Sequence, residues 1–344
     1  MRTGRTGSFP ATERQTHRCQ RPAVSDYTLC VRIIESPSWK PSPWLARFML
    51  ILAAAAWGAG YTFEKIVLET LSVRWLMGIR LLCALIIMTP FLMPRLRRVN
   101  LVNMLVPGLI LGVTYWAAFS LQTMGLTTIA PGRNSFLTAI YCVFVPFLVW
   151  IMTRRRPAMR NFVAAAICII GVALISLPAH GGVGEAELSL SIGDLLTLGG
   201  ALLYGVNLVV TGFLTKEFDV PTLTYLELSI AAVLFLGCAL LFDPVPGLSN
   251  FPPRTLWSMV YLTLISTLIA QNFQNIAFSQ VPAAQGSLIL CSESLFGMLV
   301  SVLVMHEELA GTHLIGFAVI FLAILISEVR IQRHSKKTGQ SESS

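Results

Sequence analysis

Residues 281–305 read VPAAQGSLILCSESLFGMLVSVLVM, an apolar run long enough to cross a bilayer as a helix at about 1.5 Å per residue. Near its middle stands Glu293. A carboxylate at that depth is costly unless it is protonated, paired or turned to a water-filled cavity, so it marks a functional position by default. Gly286, Gly297 and Ser301 fall on the same helical face, at spacings of seven, four and eight. That face is small where a neighbouring helix or a ligand approaches. The alternative is a structural acid, satisfied by a neighbouring span and never touched by substrate.

The stretch has a copy of itself. A shift of 152 positions lays APGRNSFLTAIYCVFVPFLVWIMTRRRP, from Ala130, on this span and superposes Ser135 on Ser287 and Phe144 on Phe296. Upstream, Gln122 falls on Gln274 and Thr114 on Ser266, so more than one helix is repeated. After the first copy the chain reads Arg154-Arg155-Arg156, and at the same place after the second His306-Glu307-Glu308. One loop is basic and the other acidic, as two repeats of inverted topology require.

At 344 residues the chain is 55% hydrophobic and 12% charged, with a mean hydropathy of +0.70, whereas a soluble domain carries about twice that charged fraction. It reads as an all-α integral membrane protein. Of the net charge of +8, residues 1–45 contribute +4, from seven Lys or Arg against three acids. Basicity of tails and loops needs no nucleic-acid partner. The first 43 residues hold no apolar core of signal-peptide length, so the first spanning helix is expected to act as the targeting signal. The seven cysteines, Cys19, Cys30, Cys83, Cys142, Cys168, Cys238 and Cys291, show no CxxC spacing. Five lie in apolar spans and read as small buried hydrophobes rather than disulfides or metal ligands. No metal or cofactor is expected.

Ten apolar spans are placed at roughly 45–65, 73–93, 102–123, 130–152, 159–177, 192–214, 220–242, 256–278, 282–305 and 310–328. They divide the chain into a disordered basic cytoplasmic tail (1–43), a first five-helix repeat (44–178), a Gly-rich linker (179–191), a second five-helix repeat (192–329) and a cytoplasmic C-terminal tail (330–344). Two five-span repeats in one chain must point in opposite directions, since five is odd. One set of loops with the C-terminal tail holds twelve Lys and Arg, Arg95, Arg97, Arg98, Arg154, Arg155, Arg156, Arg160, Lys216, Arg330, Arg333, Lys336 and Lys337. The opposite side holds Lys65, Arg74 and Arg254. Retention of positive charge in the cytoplasm puts both termini inside, in the inner or plasma membrane.

Polar and aromatic side chains inside the spans are the candidates for a substrate path. The eighth span places Gln271, Gln274 and Asn275 on one stripe, which is disfavoured against lipid. The stripe serves interhelical hydrogen bonding or a cavity wall; Gln122, the repeat equivalent of Gln274, favours the wall. Trp57 and Tyr61 share a face of the first span, and Tyr204 and Asn207 stand correspondingly in the sixth, with Trp57 aligned on Tyr204 and Gly58 on Gly205. Such faces suit stacking on amphipathic ligands. Tyr115 and Tyr141 lie deep in the third and fourth spans, and Arg80 lies a third of the way into the second, placed to pair a buried acid or an anionic substrate group. Arg133 is expected to snorkel to the interface, and Asp194 and Glu227 to sit there too. Gly108 and Gly112 form a GxxxG, which serves close packing within the bundle or a homodimer.

No GxSxG elbow, Walker A loop or GxGxxG fingerprint occurs, and His306-Glu307 fails as a zincin motif because Ala310 stands where the second His is required. A non-enzyme is expected, with an intramembrane enzyme or a non-transporting membrane sensor as the alternatives.

With AAAWGAGYTFEKIVLE from Ala54, WLMGIRLLCALIIMTPFL from Trp75 and APGRNSFLTAIYCVFVPFLVWI from Ala130, the first repeat resembles the EamA-type branch of the drug/metabolite transporter superfamily. GDLLTLGGALLYGVNLVV from Gly193 and AAQGSLILCSESLFGMLVSVLVMHEELAGTHLIGFAVIFLAIL from Ala283 carry the resemblance through the second. It covers about residues 45–330 and implies a transporter or exporter of small metabolites with its site between the repeats. Two departures stand out: Glu293-Ser294 where the family commonly has Glu-Pro, which is expected to remove a kink, and Arg154-Arg155 where it has Gly-Glu. The expected function is export of a small polar or amphipathic metabolite, such as an amino acid or an amine-bearing compound, by alternating access. Glu293 would serve as a proton-coupling site or as a substrate contact.

Overall fold

Helix ends are set by the residues flanking the apolar runs. The computed structural model describes residues 41–154, 156–175, 191–306 and 311–328, which all belong to one unit, Pro37–Ser344. The Ser42 hydroxyl accepts from the Leu45 N–H at the head of α1 (Pro43–Leu68), and Pro43 takes the first helical position. Ser72 caps α2 (Val73–Leu96) and Asn100 caps α3 (Leu101–Thr128). Pro131 starts α4 (Pro131–Thr153), and α5 (Met159–Ile175) follows. A reciprocal box between Ser191 and Asp194 opens α6 (Ile192–Glu217), and Asp219 caps α7 (Val220–Phe242). The chain continues through α8 (Pro253–Phe278), α9 (Ala283–Met305) and α10 (Gly311–Glu328). Helices α1–α4 and α6–α9 are long and apolar enough to cross a membrane, and Met159–Gly171 within α5 is a shorter apolar stretch. The described residues contain no strand. The tail expected at 330–344 lies outside the described residues, as do the tail and linker expected at 1–43 and 179–191 except for residues 41–43 and 191.

Packing obeys the repeat. α1 lies on α8 and α9, and its counterpart α6 lies on α3 and α4; α3 lies on α7, and α8 on α2. The pairs α2–α7, α4–α9 and α5–α10 join counterparts directly. Exchanging the two repeats leaves this neighbour pattern unchanged. Close crossings use small residues: a Cβ at Gly58 of α1 would clash with the Glu293 carbonyl oxygen of α9, and one at Gly297 would lie 2.6 Å from Ser135 Oγ of α4. The GxxxG of α3 faces α7, with Gly108 against Leu226 and Gly112 against Ile230. α2 and α7 are also tied by an ion pair at each end, Arg74–Asp243 and Arg95–Asp219.

The backbone carries the repeat as well. α4 is interrupted at Ile140 and α9 at Cys291–Ser292, equivalent positions 152 residues apart. The only non-glycine residues with left-handed backbone among those described are Arg154 (φ 53°) and His306 (φ 55°), which close these two helices and are again equivalent. The ninth span is interrupted at Cys291–Ser292 although Ser294 stands where the family commonly has proline. The Ser292 and Ser294 hydroxyls donate to the carbonyls of Ile289 and Cys291 at 2.8 and 2.7 Å, drawing them out of the regular ladder without a proline.

Polarity is inverted relative to a soluble protein. Ile86, Phe91, Ile151 and Leu240 are exposed, while Arg80, Asn134, Glu227, Gln274 and Asn275 have no exposed surface. Only an apolar solvent around the bundle is consistent with that arrangement.

Candidate functional site

Between the repeats lies a small pocket lined by α1, α2, α3 and α4 on one side and α6, α8 and α9 on the other. α1 supplies Trp57, Tyr61 and Glu64, which share a helical face at spacings of four and three. Arg80 comes from α2, Phe119 and Gln122 from α3, Thr138 from α4, Tyr204 from α6, Ser266 from α8 and Glu293 from α9.

Arg80 is wholly buried and fully engaged. Its guanidinium forms an ion pair with Glu64, donates to the Thr267 hydroxyl, and reaches Ser266 Oγ at 3.2 Å. Those two acceptors lie in the wide, π-type turns of α8 over Leu262–Ile269, where the Ser266 carbonyl also accepts from the Trp57 indole at 2.7 Å. The pair is thus neutralised within the protein. Glu293 is different: its carboxylate accepts from the Tyr61 hydroxyl at 3.5 Å, and no salt bridge among the described residues includes it. With Arg80 and both acids ionised, the cavity wall carries one net negative charge. Around it stand aromatic rings: Tyr204 meets Trp57, Phe119 and Tyr141 edge-on, with centroids 6.1, 5.7 and 5.0 Å away. Tyr141 occupies in the first repeat the position that Glu293 occupies in the second, 152 residues on.

Beside the cavity lies a second polar cluster. Glu227 of α7 is fully buried and accepts from Asn275 at 2.9 Å, from Gln271 at 3.3 Å and from Asn207 at 3.1 Å. Asn275 also reaches Thr224, and Gln274 accepts from the Tyr204 hydroxyl at 2.9 Å. A third network joins Gln122, Asn134 and Thr197.

Of the residues anticipated from sequence, Trp57, Tyr61, Arg80, Gln122, Tyr204 and Glu293 meet at the cavity. Tyr115 stacks on Phe119 at 4.2 Å, and Tyr141 packs on Tyr204. Asn207, Gln271 and Asn275 are spent on Glu227, while Gln274 orients Tyr204. Glu227, expected near an interface, is wholly buried because three amides from α6 and α8 replace water around it. Asp194 is likewise buried and takes Arg133 in a two-point pair, Nε and Nη each at 2.9 Å, so Arg133 is anchored as well as partly exposed. Glu64 escaped notice because it read as the end of the first span; its spacing from Trp57 and Tyr61 was the available signal.

Comparison with known proteins agrees with this architecture. A family model described as the EamA-like transporter family matches residues 44–177 and again 191–328. An uncharacterized transporter of Archaeoglobus fulgidus is 23% identical over 82% of this chain and 85% of its own length. The uncharacterized transporter YcxC of Bacillus subtilis is 24% identical over 82% and 92%. Solute carrier family 35 member F2 of Xenopus tropicalis is 23% identical over 54% of this chain and 49% of its own. A crystal structure superposes with a TM-score of 0.63 over 84% of this chain and 97% of that one, at 15% identity, a likeness of fold alone.

Proposed function

Because the chain belongs to the EamA-like transporter family, we propose that it carries a small amine-bearing solute, zwitterionic or cationic, through the cavity between its repeats by alternating access. The observation that carries the reading is Glu293, an acid without a cationic partner among the described residues, set in a wall of aromatic rings. An ammonium group answers both features, since it offsets the buried carboxylate and is attracted to aromatic faces. A multiply charged anion would find one guanidinium, already held by Glu64. The opposed charges of the loops after α4 and α9 support both termini in the cytoplasm of the cell membrane. Outward transport rests on the resemblance to exporters and on no particular residue.

Thermal unfolding of the purified full-length chain tests the ligand class, because a ligand that binds only the folded state raises the unfolding temperature. Amino acids or amines are expected to give the largest shift, and Glu293→Gln to lose it while keeping the ligand-free unfolding temperature. A multiply charged anion giving the largest shift, or an unchanged amine shift in Glu293→Gln, would overturn the assignment.

A further inference from the structure

Cys142 of α4, Cys168 of α5 and Cys291 of α9 converge on one buried point. Their sulfurs lie within 4.8 Å of one another, with Cys142 and Cys168 3.5 Å apart, and the residues are at most 1% exposed. Two come from the first repeat and one from the second. The cluster sits where both α4 and α9 are interrupted, one residue after Tyr141 and two before Glu293. Cys291 Sγ donates to the carbonyl of Ala139, its own repeat-equivalent position, at 3.2 Å.

We propose that these three thiols form a binding site for a single soft, thiophilic d10 cation of the Cu(I) or Ag(I) type, bridging the two repeats. Small-residue packing asks only for a side chain of this size, and alanine on any one of the helices would satisfy it. Three thiols from three helices facing one point exceed that need. The geometry fits a planar three-sulfur site: an ion bound at about 2.3 Å from each sulfur holds the sulfurs about 4 Å apart, inside the spread observed. The donor set selects the ion. Sulfur alone favours a soft cation, whereas zinc asks for a fourth ligand, and no His, Asp or Glu among the described residues joins the group. Each thiol that becomes a thiolate releases its proton to solvent. A monovalent ion offsets one negative charge, so the dry surroundings favour one thiolate and two neutral thiols, with one proton released per ion. Sequence spacing hides the site, because the three cysteines lie far apart in the chain.

The test is Ag(I) binding by the full-length chain in detergent, against a Cys142→Ser/Cys168→Ser/Cys291→Ser variant that keeps the other four cysteines. In the presence of a weak thiol competitor, the unaltered chain should retain one more silver ion per chain than the variant, release about one proton for it, and unfold several degrees higher when loaded. Each single Cys→Ala variant, chosen to keep the packing, should weaken binding at least tenfold. Equal silver retention by the unaltered chain and the triple variant, or full affinity in all three single Cys→Ala variants, would overturn the site. None of these readouts uses transport, so they stand or fall apart from the transporter reading.

Discussion

Glu64, Glu227 and Glu293 are all buried, and each is stabilised differently: Glu64 by a guanidinium, Glu227 by three amides, Glu293 by one long contact from a tyrosine hydroxyl. The difference predicts how their neighbours respond to substitution. Asn275→Leu strips from Glu227 a charge-assisted hydrogen bond and leaves an under-satisfied carboxylate, so it should cost about 2–3 kcal/mol in thermal or denaturant unfolding. Gln274→Leu removes the acceptor of the Tyr204 hydroxyl and the donor to Asn275 Oδ1 but leaves the contacts of Glu227 in place, and should cost about 1–2 kcal/mol, with its larger effect on ligand affinity through the freed ring. Equal stability losses at the two positions would contradict these roles. At this scale the sequence revealed which residues are polar inside an apolar run, since hydropathy alone exposes them. It did not reveal which of them face each other. Gln271 and Asn275 looked the same as Gln122 on the page, and only the approach of Glu227 from another helix separates those that hold the bundle from the one that lines the cavity.

Among the elements, α4 and α9 are distinctive, each interrupted near its middle and closed by a left-handed residue. The spans themselves were legible because a bilayer demands uniform apolarity over a fixed length. The interruptions were not, because no Gly or Pro marks Ile140 or Cys291–Ser292 and a serine takes the place of a proline. Ser294 lies in the first turn after the break, where proline is better tolerated than further along a helix and would remove one backbone hydrogen bond, from the Ser294 N–H to the Cys291 carbonyl at 3.2 Å. Ser294→Pro should therefore cost about 1 kcal/mol and leave ligand binding intact, whereas Met298→Pro, one turn further on, should cost about 3 kcal/mol or more. Similar destabilisation by both in thermal unfolding would show that α9 continues unbroken through Ser292.

At the scale of the whole molecule, the neighbour pattern survives exchange of the two repeats, and an odd number of spans in each repeat would turn the two in opposite directions across the membrane. The repeat was visible in the sequence through Gln122 and Gln274 and the two loops of opposite charge. The cavity was not, because it forms only where α1 and α2 meet α6, α8 and α9. Arg154→Cys and His306→Cys, equivalent positions and both exposed, should label from opposite sides of the membrane, Arg154→Cys from the cytoplasm and His306→Cys from outside. Labelling of both from one side would exclude inverted repeats. Transport through the shared cavity is tested most directly by counterflow in proteoliposomes holding the purified full-length protein. Labelled amine-bearing solutes should exchange faster than in protein-free liposomes, with Glu293→Gln reducing that exchange at least tenfold while it inserts and folds normally. Exchange no faster than in protein-free liposomes across amino acids and amines, or undiminished exchange by Glu293→Gln, would contradict it.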